Sequence, residues 1–188
     1  ILYIDSDDYI DSNMLKLMVS KINEDDSDMV IIGHKEFYDD IYGCDKDILL
    51  EVDDKKIYTG KEVADMMLNC KVMGVAWNKL YKRDKLLEDG FYFENGRYTQ
   101  DWYPIFKHIS NLKKISFVNL PLYKYRISSV STTSKKNEKR LIDYIYAVSN
   151  IIEYAEKGNL DFSNESINTF KAITFNRIIS LYYAINSK

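Results

Sequence analysis

The chain opens with four apolar or aromatic residues, Ile1 to Ile4, that run straight into Asp5, Ser6, Asp7 and Asp8. A short uninterrupted apolar run predicts an inner strand of a parallel sheet, with the acidic turn at its end. Beyond it, Asp11 or Ser12 can cap a helix whose apolar face is Leu15, Met18, Val19 and Ile22. "DMVIIGH" at 28–34 predicts a second buried strand and "DILLEV" at 47–52 a third. Thr59 and Glu62 form a capping box ahead of Val63, Met66 and Met67, so a helix is expected over 60–69. Asp84 to Gly90 reads as a short helix with a glycine stop. "DWYPIFKHI" at 101–109 begins another helix, with Pro104 tolerated in the first turn. "KISFV" at 114–118 and "LYKYRI" at 122–127 are expected to be strands. From about residue 136 the pattern is helical only. Leu141, Ile145, Val148 and Ile152 form one stripe, and Ile167, Phe170, Ile173, Ile178 and Leu181 most of another. The expected layout is an α/β layer over 1–134 followed by a helical hairpin over 135–188.

Composition narrows the partners. With 188 residues, 46% of them hydrophobic, the chain can bury a proper core. A net charge of −3 gives no global basic field for nucleic acid. Cys44 and Cys70 form no CxxC pair and no ligand cluster with His34 and His108. That points to a reducing, cytoplasmic setting and away from zinc or a disulfide scaffold. No apolar run approaches the ~18–20 residues of a membrane span, and no stretch of this sequence reads as a signal peptide. An Ile inside a strand as first residue leads us to expect the continuation of a longer chain.

The acidic turn carries the first candidate chemistry. Two carboxylates ~5 Å apart repel by about 3 kcal/mol at an effective dielectric of 20. A hard divalent cation such as Mg²⁺ or Mn²⁺ cancels that, and Mg²⁺ takes one or two carboxylates together with substrate phosphates. Asp and Ser also make ordinary turns and caps, so the turn alone does not decide between the two uses.

Three further stretches follow in order: "GVAWNKLYKRDKL", "RYTQDWYP" and "PLYKYRISSVSTTS". The succession of strand-DSDD, AWNKLYKR, xDW and LYxYRxxSxS resembles the family 2 glycosyltransferases of the GT-A fold. The likeness is greatest to bacterial enzymes that build capsular, teichoic-acid or other surface polysaccharides. It covers residues 1–134, about the second half of the usual catalytic domain, and implies a partial three-layer α/β GT-A fold with a C-terminal α-helical extension. It also implies an inverting transfer from a nucleotide-diphosphate sugar, a UDP-sugar first among them, to a saccharide or lipid-linked acceptor.

The roles implied by that resemblance are specific. Asp7 is the direct ligand of Mn²⁺ or Mg²⁺, with Asp5 nearer the donor's ribose or sugar and Asp8 holding the turn. Asp101 is the general base, although Gln100 stands where the family carries Glu. Arg126 clamps the diphosphate, and Ser129 and Ser131 add hydroxyl donors from a loop over it. That loop, with Ile127, Ser128 and Ser129, lacks the metal-binding His of some relatives. Trp102 stacks on the acceptor sugar. Trp77, Asn78 and Lys79 match a W-N-K stretch, mainly structural with an acceptor contact through Trp77. Lys135, Lys136, Lys139 and Arg140 suggest peripheral contact with the inner face of the plasma membrane, although such a run is commonly a solvated face. His34 and His108 read as ordinary residues.

Two alternatives accompany this reading. Haloacid-dehalogenase-like phosphatases also begin with an apolar strand and D-x-D, but Tyr9 stands where they carry Thr or Val, and a later glycine-aspartate pair is missing. The other alternative is an inactive piece or interaction module, because the strands that grip base and ribose in such enzymes precede the D-x-D.

Overall fold

The structure is a computed structural model that describes residues 1–38, 43–128, 137–158 and 160–187. A mixed five-stranded sheet forms its centre. In chain order the elements are β1 (Tyr9–Ile10), α1 (Met14–Glu24), β2 (Met29–Tyr38), β3 (Lys46–Ile48), α2 (Gly60–Leu68) and β4 (Lys79–Tyr81). They continue with α3 (Arg83–Glu88), α4 (Trp102–Asn111), β5 (Ile115–Ile127), α5 (Glu138–Lys157) and α6 (Asn164–Asn186).

The central strand β2 pairs in parallel with β5 on one side and antiparallel with β4 and β3 on the other. β1 adds antiparallel to the outer edge of β5. Alternation along β2 sends Met29 and Ile31 to one face, against α2 and α4, and Val30 and Ile32 to the other, against α1. Helices therefore cover both faces, as a mixed α/β layering predicts.

The expected strands at 114–118 and 122–127 are one strand, β5, interrupted by a bulge. While β2 advances from Ile32 to His34, β5 advances from Val118 to Tyr123. The extra residues reverse the parity of β5. Ile115 and Phe117 face the α2/α4 side, whereas Tyr123 and Tyr125 face the α1 side. Pro121, which has no N–H to donate, falls within this irregular stretch. Opposite it stands Gly33, where a Cβ would lie 2.8 Å from the Ile48 carbonyl oxygen. The Asn119 side chain exchanges two hydrogen bonds with the Leu50 backbone. β3 accordingly ends at Ile48, short of the expected 47–52.

The segment Ile1–Ile4 departs from its expectation. It forms one antiparallel bridge, Leu2 to Leu80 of β4, and Ile1 and Ile4 are 46% and 49% exposed. It is an edge ribbon beside an antiparallel strand, not an inner parallel strand. From there the acidic turn runs to β1, on the far side of β5.

Helix positions agree with the sequence better than helix phases do. α2 has its Thr59–Glu62 capping box, and α4 carries Pro104 in its first turn. α1 starts one turn after Asp11 and buries Met14, Met18 and Ile22, leaving Leu15 and Val19 exposed. α5 buries Tyr144, Ala147, Val148 and Ile151, with Ile145 exposed, and α6 buries Ile167, Phe170, Thr174 and Leu181, with Ile173 exposed. Both hairpin helices share one apolar cluster with α2, α4 and the sheet. Among the described residues no helix is long and apolar enough to cross a membrane.

Candidate active site

The acidic turn is closed by the Asp8 N–H donating to the Asp5 carbonyl at 3.2 Å. Tyr123, on the face of β5 set by the bulge, pins it: its hydroxyl accepts from the Asp5 N–H at 3.1 Å and donates to Asp8 Oδ2 at 2.7 Å. Asp8 Oδ1 also accepts the Arg126 N–H at 2.8 Å. Asp8 thus holds the turn against β5, while Asp5 and Asp7 remain exposed. Burial raises the Asp5 carboxyl above its usual range, and the charges of Asp8 and Asp7 raise it further. Burial raises Asp8 as well, opposed by its bonds from Arg126 and Tyr123.

Among the described residues no group of three or more His, Cys, Asp or Glu side chains is arranged to hold a metal ion. A cation shared with a diphosphate asks less of the chain, one or two carboxylates, and the mutual repulsion of the turn fits that smaller demand. Arg126 lies beside it, donating from Nη2 to the Tyr9 hydroxyl at 2.7 Å, with its guanidinium 5.3 Å from the Tyr9 ring and 5.6 Å from the Phe37 ring. Its charge favours ionised Asp8. Ser129 and Ser131, with Lys135 and Lys136, lie outside the described residues.

Asp101 is built differently. It occupies the residue before α4, but its side chain does not cap the helix. Burial pushes its carboxyl up to about 6; its own N–H, the Lys79 ammonium and the Ala76 N–H oppose the rise, and the Asp5 charge adds to it. The acidic turn and Asp101 therefore share one electrostatic neighbourhood. A carboxylate poised near 6 can accept a proton at neutral pH.

The charge opposing that rise belongs to a residue that sequence reasoning treated as structural. Lys79 is fully buried, and its Nζ donates to the carbonyls of Met73 and Val75 and to Asn78 Oδ1 at 2.7–2.8 Å. Burial lowers its ammonium to about 7, with Asp101 opposing the shift. The one sequence signal was a lysine inside the apolar run "VAWNKLY". Asn78 bonds the Ile32 backbone, continuing the β4–β2 ladder.

The two tryptophans part company. Trp77 is 6% exposed, stacks on Tyr123 at 4.4 Å and Tyr125 at 5.4 Å, and meets His34 edge-on. It is placed as a packing residue beneath the acidic turn rather than as a surface for a sugar. Trp102 is half-buried beside Asp101, edge-on to Tyr144 of α5, with Gly74 against its Cα and indole. Burial, together with the Lys79 charge, lowers His34 to about 4, so it is neutral. His108 pairs through Nδ1 with Asp89 at 2.5 Å. Lys139, counted above in a basic run, pairs with Asp143 and the Gly96 carbonyl.

No family model matches the chain. EpsH of Bacillus subtilis (strain 168), named as a glycosyltransferase, is 27% identical over 176 residues, 90% of this chain and 50% of its own length. Glycosyltransferase GlyG of Streptococcus pneumoniae serotype 4 is 28% identical over 137 residues, covering 70% of this chain and 44% of GlyG. A crystal structure of Staphylococcus aureus TarS 1–349 in complex with UDP-GlcNAc matches all of this chain and 52% of TarS, with a TM-score of 0.63 and 19% identity. The chain has the fold of half of TarS and is similar in sequence to part of two glycosyltransferases. It spans about half the length of the curated relatives it matches.

Proposed function

We propose that these 188 residues form the acceptor-side half of a glycosyltransferase. In this reading it moves a sugar, with inversion, from a nucleoside-diphosphate donor to a hydroxyl of a saccharide or lipid-linked acceptor in surface-polysaccharide synthesis. The observation that carries it is the pairing of an exposed, self-repelling acidic turn with a half-buried carboxyl poised near 6 in one neighbourhood. The sequence similarity to EpsH and GlyG supports the transfer chemistry, and the UDP-GlcNAc and UDP complexes of TarS support a UDP-sugar donor.

In this reading Asp101 accepts the proton of the acceptor hydroxyl as its oxygen bonds to the anomeric carbon. The bond from that carbon to the diphosphate breaks, and the nucleoside diphosphate leaves with the electron pair. Asp5 and Asp7 would hold Mn²⁺ or Mg²⁺, which supplies Lewis-acid stabilisation of the leaving diphosphate. Arg126 would add a planar pair of donors to the same oxygens. A single displacement with no covalent sugar–enzyme bond accounts for inversion.

The test uses the natural polypeptide that carries these residues, screened with UDP-, GDP- and CDP-sugars, Mn²⁺ and saccharide acceptors. The expected result is metal-dependent transfer that Asp101→Asn abolishes while donor binding persists. Metal-dependent release of phosphate with no acceptor requirement would favour a phosphatase instead.

A further inference from the structure

The hairpin helix α5 reaches into the loop that delivers Asp101. Asp143 of α5 has a side chain only 4% exposed, and three donors converge on it. Arg97 Nη1 donates at 3.1 Å, the Tyr98 N–H at 3.0 Å and Lys139 Nζ at 2.5 Å. Burial alone would raise its carboxyl; the bonds from Lys139, Tyr98 and Arg97 outweigh that and hold it below its usual range.

The surrounding contacts reinforce the same joint. Lys139 Nζ also donates to the Gly96 carbonyl at 2.7 Å, and Asn137 Nδ2 to the Tyr98 hydroxyl at 3.2 Å. The Arg97 guanidinium lies 3.5 Å from the centre of the Tyr146 ring. The gripped turn is short, and the Glu94 N–H closes it onto the Gln100 carbonyl at 3.3 Å, one residue before Asp101. On the far side of Asp101, Tyr144 of α5 meets Trp102 edge-on. Helix α5 therefore touches the chain three residues before the carboxylate, at Tyr98, and one residue after it, at Trp102.

We propose that Asp143 is a positioning residue: through the 94–98 turn it fixes where Asp101 meets the acceptor hydroxyl. The inference rests on the reading of Asp101 as the proton acceptor. The sequence offers no hint of it, because an aspartate between Ile142 and Tyr144 on a helix reads as a solvated residue.

Hydrogen exchange and kinetics together test it, using Asp143→Asn, which keeps the shape and removes the charge. Losing a buried charge-assisted acceptor should speed exchange of the Tyr98 amide roughly tenfold or more, with β2 and β5 amides unchanged. Acceptor-dependent transfer should fall about tenfold or more, while donor hydrolysis without acceptor stays at its original rate. Unchanged Tyr98 exchange, or parallel loss of transfer and hydrolysis, would overturn the proposal. Faster Tyr98 exchange in a natural polypeptide with no transferase activity would uphold the grip and sink the reading of Asp101 instead. Should Asp143→Asn not fold, Lys139→Met, at a side chain 56% exposed, puts the same question with a smaller expected effect.

Discussion

The two carboxylate regions of this protein are opposites in construction. Asp5 and Asp7 of the acidic turn are exposed, and burial together with the charges of Asp8 and Asp7 raises the Asp5 carboxyl. The Asp8 side chain is tied down by Tyr123 and the Arg126 backbone. Asp101 stands in buried surroundings, opposed by an internal lysine that is itself held by three oxygens. Side chains of the same chemistry thus receive different tasks from their settings. Exposed carboxylates that repel each other invite a cation from outside, whereas a desolvated carboxyl balanced by one fixed ammonium is suited to gaining and losing a proton near neutrality.

That contrast can be broken most sharply at Asp101. Asp101→Asn is expected to lower transfer by about 10²–10⁴-fold with donor affinity retained, as measured by initial rates and calorimetric titration with the donor. Asp7→Ala should act on the other half, abolishing the rate response to added Mn²⁺ and leaving at most about 1% of transfer. Next in size is pH dependence. Asp101 must be unprotonated to accept a proton, so the rate should rise as pH passes through about 6 and fall roughly tenfold per unit below it. Among the described residues, Lys79 and Asp5 act on Asp101, and Asp101 in turn acts on Tyr81. Lys79→Met removes the opposing cation and should move that limb upward by about one unit, with a stability loss of about 1–3 kcal/mol from three oxygens left without their donor. Smallest is Tyr123→Phe, which deletes the hydroxyl under the acidic turn. It should cost about 1 kcal/mol in thermal stability and raise the Mn²⁺ concentration for half-maximal rate a few-fold, without moving the pH limb.

The sequence reading succeeded where the signal is local. The strand at 28–34, the Thr59–Glu62 box and the helix carrying Pro104 each depend on neighbours a few residues away. It went astray where two local solutions are equally apolar. Leu15 and Val19 make as good a stripe as Met14 and Met18, and only the packing of the sheet chooses between them. The same holds for the phase of α5. Of the candidate site, residue type and order along the chain single out the acidic turn, Asp101 and Arg126. The residues that fix those groups were not, because their partners are distant or are backbone atoms. Lys79 is held by carbonyls that any sequence possesses, and Asp143 by a turn some 45 residues upstream. The packing of Trp77 was hidden for a related reason, since nothing near it in the chain announces the tyrosines of β5 that cover it.

The irregularity in β5 has a consequence for how this architecture tolerates insertions and deletions. Strand geometry is binary: each added or lost residue exchanges the two faces for everything beyond it. Removing one residue around Asn119 would turn the Tyr123 hydroxyl toward α2 and α4 and unfasten the acidic turn, though no acidic residue had been altered. A change of length there is thus a change of chemistry about a hundred positions away along the chain, and this stretch of strand should keep its length more strictly than its composition.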